Sequence, residues 1–180
     1  MKKLIAMLLP FVLTPAAMAT TVSSPSVANW TSIVGVITAQ NVDNPVADIH
    51  SGTFAWSARS GRAAVNVRTG AAFFSVTGLV INGTQFSGTP GPVTQVTGTL
   101  VCNPGEQDAN GMSTEKVYDT IPVRLSPSGN AGFSGNIGNI TSPCSNPLFL
   151  IRIAQPAGAA GLWIATGAMR SMRDDFPFLY

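Results

Sequence analysis

The chain has 180 residues, of which 45% are hydrophobic and only 10% charged, with a formal net charge of +2. That length suits one domain with room for a real core. Removing Lys2 and Lys3 from the ten basic residues leaves eight against eight acidic ones, with Lys116 the one remaining lysine; nucleic-acid affinity needs many Lys and Arg contacts to phosphate, so nucleic acid and broadly anionic surfaces are excluded as partners.

Residues 1–19 read as a secretory signal. Lys2 and Lys3 precede an apolar run over 4–13, and Ala17-Met18-Ala19 presents small side chains for cleavage after Ala19, the charged, apolar and cleavable order of such segments. The run is about half the length of a membrane span, and no later stretch approaches the roughly 20 apolar residues a transmembrane helix needs. The product is therefore expected to be secreted or periplasmic and not membrane-spanning. Thr20, not Cys, follows the cut, so no lipid-anchor site is offered. Residues 20–30, rich in Ser and poor in charge, are expected as a mobile lead-in, 31–168 as a single domain and 169–180 as a C-terminal tail.

From Thr31 onward, short runs rich in Val, Ile, Phe and Thr alternate with Gly, Pro, Asn and Ser. The pattern predicts strands over 31–40, 52–58, 61–68, 71–81, 93–103, 117–125, 131–137, 148–154 and 161–168. No segment has a helical period. The fold class is all-β: an antiparallel β-sandwich of Greek-key, immunoglobulin or jelly-roll type with about eight or nine strands. Two-residue alternation assigns inward faces. Ala63, Val65 and Val67 alternate with Arg62, Asn66 and Arg68; Val96, Leu100 and Cys102 with Gln95, Thr97 and Thr99; Ile121, Val123 and Leu125 with Pro122 and Arg124. Thr69-Gly70, Asn82-Gly83 and Ser128-Gly129-Asn130 have the chemistry of tight turns. Two longer loops are expected, one over 83–92 and one over 103–116.

The two cysteines, Cys102 and Cys144, both fall in the exported part, where an oxidising compartment favours pairing. A bond closing about 40 residues contributes on the order of 4 kcal/mol in the chain-entropy model; the competing reading is two separate buried thiols. Cys102 would point inward at a strand end, and a bond to the loop holding Cys144 would pin that loop across one end of the sandwich.

Chemistry-bearing groups are few. A nucleophilic hydrolase needs a base beside its nucleophile, and the single histidine, His50, has Asp48 two residues before it, on the same face if the segment is extended. No Gly-x-Ser-x-Gly elbow accompanies them. Zinc requires three or four ligands, more than Asp48 and His50 supply. The loop from Glu106 to Glu115, with Asp108 and Asn110, offers oxygen ligands of the kind calcium takes but lacks the spacing of a calcium loop. No catalytic residue, metal or cofactor is assigned. Arg59, Arg62 and Arg68 cluster in one predicted hairpin and are the candidate ligand-binding residues, for a small anionic or carbohydrate ligand; the alternative is a solvated sheet face. Trp30 and Trp163 are either stacking platforms for sugars or core residues. The segment 169–180 turns from mixed charge to aromatic and ends in Phe176-Pro177-Phe178-Leu179-Tyr180, an apolar terminus able to dock on its own domain or on a partner.

Gly61-Arg62-Ala63-Ala64-Val65, Phe73-Phe74-Ser75-Val76-Thr77-Gly78-Leu79, Gly88-Thr89-Pro90-Gly91-Pro92-Val93, Leu148-Phe149-Leu150-Ile151-Arg152-Ile153 and Trp163-Ile164-Ala165-Thr166-Gly167-Ala168 resemble an uncharacterised family of exported bacterial β-sandwich proteins. The resemblance covers about residues 52–168 and implies the fold without an activity. The strand, glycine and leucine rhythm followed by a Gly-Pro loop is also distantly similar to chordin-type domains, although the paired histidines usual in that loop are missing between Gly83 and Val93. The expectation is a non-enzymatic exported module that binds a protein or carbohydrate through its surface. The alternatives are a secreted hydrolase using carboxylates or Asp48 and His50, and a subunit of an extracellular or envelope assembly.

Overall fold

The computed structural model describes residues 26–39, 41–140 and 143–173. These residues form an antiparallel all-β fold, as the alternation predicts. Its strands are β1 (Val27–Gly35), β2 (Trp56–Ser57), β3 (Ser60–Asn66), β4 (Ala71–Thr77), β5 (Val80–Ile81), β6 (Gln95–Cys102), β7 (Lys116–Asp119), β8 (Val123–Arg124), β9 (Ala131–Asn136), β10 (Leu148–Ala154) and β11 (Ala160–Arg173), with one 3₁₀ turn at Pro156–Gly158. The large sheet runs β7-β6-β10-β11-β1-β3-β4-β9, with β8 also on β6, and a separate ribbon pairs β2 with β5.

The two layers of the sandwich come from this one sheet curling on itself. Ring centroids of Phe149 on β10 lie 5.6 Å from Trp30 on β1 and 5.7 Å from Phe74 on β4, although β11, β1 and β3 separate β10 from β4 in the sheet. Buried Trp30, Phe74, Phe149, Leu79, Leu100, Ile151 and Ile164 fill the space between the layers. Burying each such side chain contributes about 1.5–3 kcal/mol, so this centre is the main source of stability. Cys102 belongs to the same core cluster, and Ala63 and Val65 face it as their alternation requires.

Several boundaries differ from the sequence expectation. Val27–Trp30, placed in the lead-in, are strand residues paired to both β11 and β3, because β1 lies in the middle of the sheet. β11 runs on to Arg173, five residues past the expected end, for the same reason: Val27 pairs with Arg173. The signal segment 1–19, residues 20–25 of the lead-in and residues 174–180 lie outside the described residues.

The strand expected over 71–81 divides at Gly78. Its φ of +63° is open to glycine and costly for other residues, and its N–H donates to Asn130 Oδ1 at 3.1 Å in place of a strand partner. The chain then leaves for the β2 ribbon. The strand expected over 117–125 divides around Pro122, which has no N–H for a ladder. The break changes the side-chain phase: Leu125 is buried as expected, but Ile121 is 71% exposed. The predicted strand over 52–58 contracts to two residues, because the described residues of the connection, 36–39 and 41–55, are irregular.

β10 and β11 are held in an irregular register, with shifts on both sides of Arg152. Its guanidinium fills the gap: Nε donates to Gly161 O at 2.6 Å and Nη2 to Ala160 O at 2.7 Å, while Nη1 lies 3.6 Å from Asp119 Oδ1.

Candidate functional site

The disulfide forms between Cys102 and Cys144, whose Cα atoms are 4.7 Å apart. It joins the end of β6 to the segment 143–147 that leads into β10. Asn103, directly after Cys102, is buried with a φ of +54°, a conformation Asn tolerates better than most residues. From there its amide links three stretches of chain. Its Nδ2 donates to Thr114 O at 3.1 Å, its Oδ1 accepts the Ser145 N–H at 2.7 Å, and its backbone N–H donates to Ser145 O at 2.9 Å.

The loop between β6 and β7 has its own internal order. Asp108 Oδ1 accepts the N–H groups of Met112 at 2.9 Å and Asn110 at 2.8 Å. These backbone donors, Met112 first, hold the Asp108 carboxyl below its ordinary value. Glu106 Oε1 accepts from Asn146 Nδ2 at 3.3 Å, and Glu115 Oε2 from the Gly105 N–H at 3.4 Å. The three acids of the loop thus point to different partners, and among the described residues no three His, Cys, Asp or Glu side chains converge as a metal would require.

Between this loop and the disulfide segment lies an open cleft of about 420 Å³ lined by Asn103, Glu106, Ser113, Thr114, Lys116, Pro143 and Ser145. It offers one anion, one cation, three hydroxyls and an amide. Such groups recognise a polar ligand by hydrogen bonding. Apart from Glu106 and Lys116, none of these lining residues stood out in the sequence, since Asn, Ser, Thr and Pro are ordinary in loops.

The arginines are divided by the structure. Arg59 and Arg68 stand beyond opposite ends of β3, and the strand between them alone spans about 20 Å at roughly 3.3 Å per residue. Arg62 is on the outer face of β3, its guanidinium 5.5 Å from the Phe73 ring centroid. They do not form one site.

His50 takes Asp43, not Asp48, as its carboxylate: Nδ1 lies 2.5 Å from Asp43 Oδ2. The expectation of an Asp48–His50 pair is therefore corrected. The chain bends back over 43–51 through hydrogen bonds between Val46 and Ile49, so a residue seven positions away comes closer than the one two away. Asp43 Oδ1 accepts the Ser51 N–H at 2.9 Å, and the His50 and Ser51 bonds hold the Asp43 carboxyl below its ordinary value. Ser51 is buried, its hydroxyl 3.4 Å from Asp43 Oδ1 and accepting the Asn44 N–H at 2.9 Å. The arrangement ties a loop together and does not place a hydroxyl against the imidazole.

Trp30 and Trp163 are both buried, and Trp163 Nε1 donates to Asn44 O at 2.9 Å, so neither is a platform on the surface. No protein-family model matches the chain, and no curated protein and no solved structure matches it.

Proposed function

We propose that this chain is an exported, non-enzymatic β-sandwich that binds a protein or carbohydrate ligand through the loops at its disulfide end. The observation that carries the reading is the cleft between the 103–115 loop and the Cys144 segment, where Glu106, Lys116 and the hydroxyls of Ser113, Thr114 and Ser145 converge. Loops held on a rigid scaffold are where binding residues concentrate, and here the disulfide and Asn103 supply the rigidity. Export is supported by that disulfide, which suits an oxidising compartment, together with the signal-like order of residues 1–19. The polar lining favours ligands rich in hydroxyls or mixed charge over flat apolar ones.

The test is an array of immobilised oligosaccharides and peptides probed with the wild-type protein and with Lys116→Ala and Glu106→Gln. Selective binding that falls at least tenfold in both variants supports the reading. Binding that both variants retain at full strength places the function elsewhere on the molecule.

A further inference from the structure

The outer face of the sheet is buried where a solvated face would be open. Ala28 and Trp30 of β1, Ala63 and Val65 of β3, and Ala72 and Phe74 of β4 belong to the core, so Val27, Asn29, Ala64 and Phe73 point the other way. Val27 and Ala64 nevertheless have 0% exposure, Asn29 has 7%, and neither Val27 nor Ala64 belongs to the core cluster. Along β1 and β3 the effect is local, although Thr99 of β6 and Leu150 of β10, which point away from the Phe149 and Leu100 side, are buried as well. Two residues on from Asn29, and two back from Ala64, Thr31 and Arg62 on the same face are exposed. The buried patch lies at the corner where β11 ends, since Arg173 pairs with Val27 and Ser171 with Asn29.

We propose that this patch is the docking site for the chain's own last seven residues, Asp174-Asp175-Phe176-Pro177-Phe178-Leu179-Tyr180. They follow Arg173 at that corner. Seven extended residues reach about 23 Å, more than the roughly 14 Å across the three strand spacings from β11 to β4. Their chemistry matches the face in order: two carboxylates for Arg68, two residues past the Asn66 that pairs with Val27, then aromatic and apolar residues for Val27, Ala64 and Phe73. Residues 20–25 also lead to this corner, but Thr-Thr-Val-Ser-Ser-Pro has neither charge nor ring to match it. Arg68 then serves the chain's own terminus in place of an external ligand. The proposal does not depend on the cleft at the disulfide end.

The test is nuclear Overhauser spectroscopy on the full exported chain, isotope-labelled. Cross-peaks from the Ala64 and Val27 methyl groups to ring protons of Phe176, Phe178 or Tyr180 are expected, with tail amides as ordered as those of β11. An Asp174→Asn, Asp175→Asn double variant should lose at least half of that cross-peak intensity, or the charge match is wrong. Tail amides with random-coil shifts and near-zero heteronuclear effects overturn the proposal, as do methyl cross-peaks to Val22 alone. Cross-peaks seen only between labelled and unlabelled chains in a mixed sample overturn it in favour of exchange with a second copy.

Discussion

Phe74 on β4 lies against the bare Cα of Gly98 on β6, with four strands between them in the sheet, and this contact marks where the curled sheet closes on itself. A Cβ placed on Gly98 would lie 2.8 Å from Phe74 Cδ1 and 3.0 Å from Phe149 Cζ. Gly98→Ala should therefore destabilise the fold by about 1–3 kcal/mol, the usual effect of overpacking a filled core. Phe74→Ala, which empties the same contact, should cost about 3–5 kcal/mol. Urea denaturation followed by tryptophan fluorescence measures both; a Gly98→Ala protein as stable as the wild type would contradict the closure.

The Cys102–Cys144 bond closes a sequence separation of 42 residues. Its loss, by the Cys102→Ala, Cys144→Ala pair, should remove about 2–5 kcal/mol. The same midpoint shift should follow addition of reductant to the wild type and be absent from the double variant. Unfolded, unreduced wild type should take up no thiol label.

Asn103 tests the rigidity of the candidate site apart from the disulfide. Asn103→Ala removes two side-chain hydrogen bonds and leaves a less tolerant residue at positive φ, a loss of about 1–3 kcal/mol. Asn103→Gly restores the backbone freedom and should recover part of it. Amide exchange at Ser145, whose N–H bonds to Asn103 Oδ1, should accelerate in both variants more than exchange in β1.

The acid limb of the stability curve should depend on Asp43 and Asp108. Both carboxyls lie below their ordinary value of 3.8 in the folded chain, Asp43 first through His50 and Asp108 first through the Met112 N–H. A depressed carboxyl stabilises the fold above its unfolded value, and that contribution is lost as pH falls through the folded one. Stability should therefore decline below about pH 4. Asp43→Asn and Asp108→Asn should each flatten that decline when denaturation midpoints are compared between pH 6 and pH 2. An unchanged slope in both would show that these bonds contribute nothing in solution.

Much of the architecture is legible in local pattern. Ala63 and Val65 alternate with Arg62 and Asn66, and the core takes the first pair because a pleated strand sends successive side chains to opposite faces. Leu148–Ala154 is both predicted and observed as a strand. The pattern fails where burial comes from both sides: Val27 to Trp30 carry no alternation because both faces of β1 are covered, and polar, serine-rich sequence before them made them resemble a lead-in. It fails again at Gly78 and Pro122, where one residue's backbone geometry redirects a run that is otherwise strand-like.

The candidate site was less legible. Cys102 and Cys144 pointed to its anchor, but Asn103, Thr114 and Ser145 meet only because the disulfide and the β6–β10 pairing bring distant loops together. The arginines show the reverse: adjacent in one hairpin, Arg59 and Arg68 are carried to its two ends by the extended strand between them. His50 was separated from Asp48 and given to Asp43 by a bend that no spacing rule encodes.

By itself, the sequence determined the all-β class, the inward faces of the well-alternating strands and the two cysteines able to pair, since each depends on side-chain type and a two-residue period. Only the tertiary structure decided that a single sheet forms both layers, which carboxylate meets His50, and which polar groups share the cleft. Those depend on contacts between residues far apart in the chain, and such contacts exist only once the core of Trp30, Phe74 and Phe149 has brought the strands together.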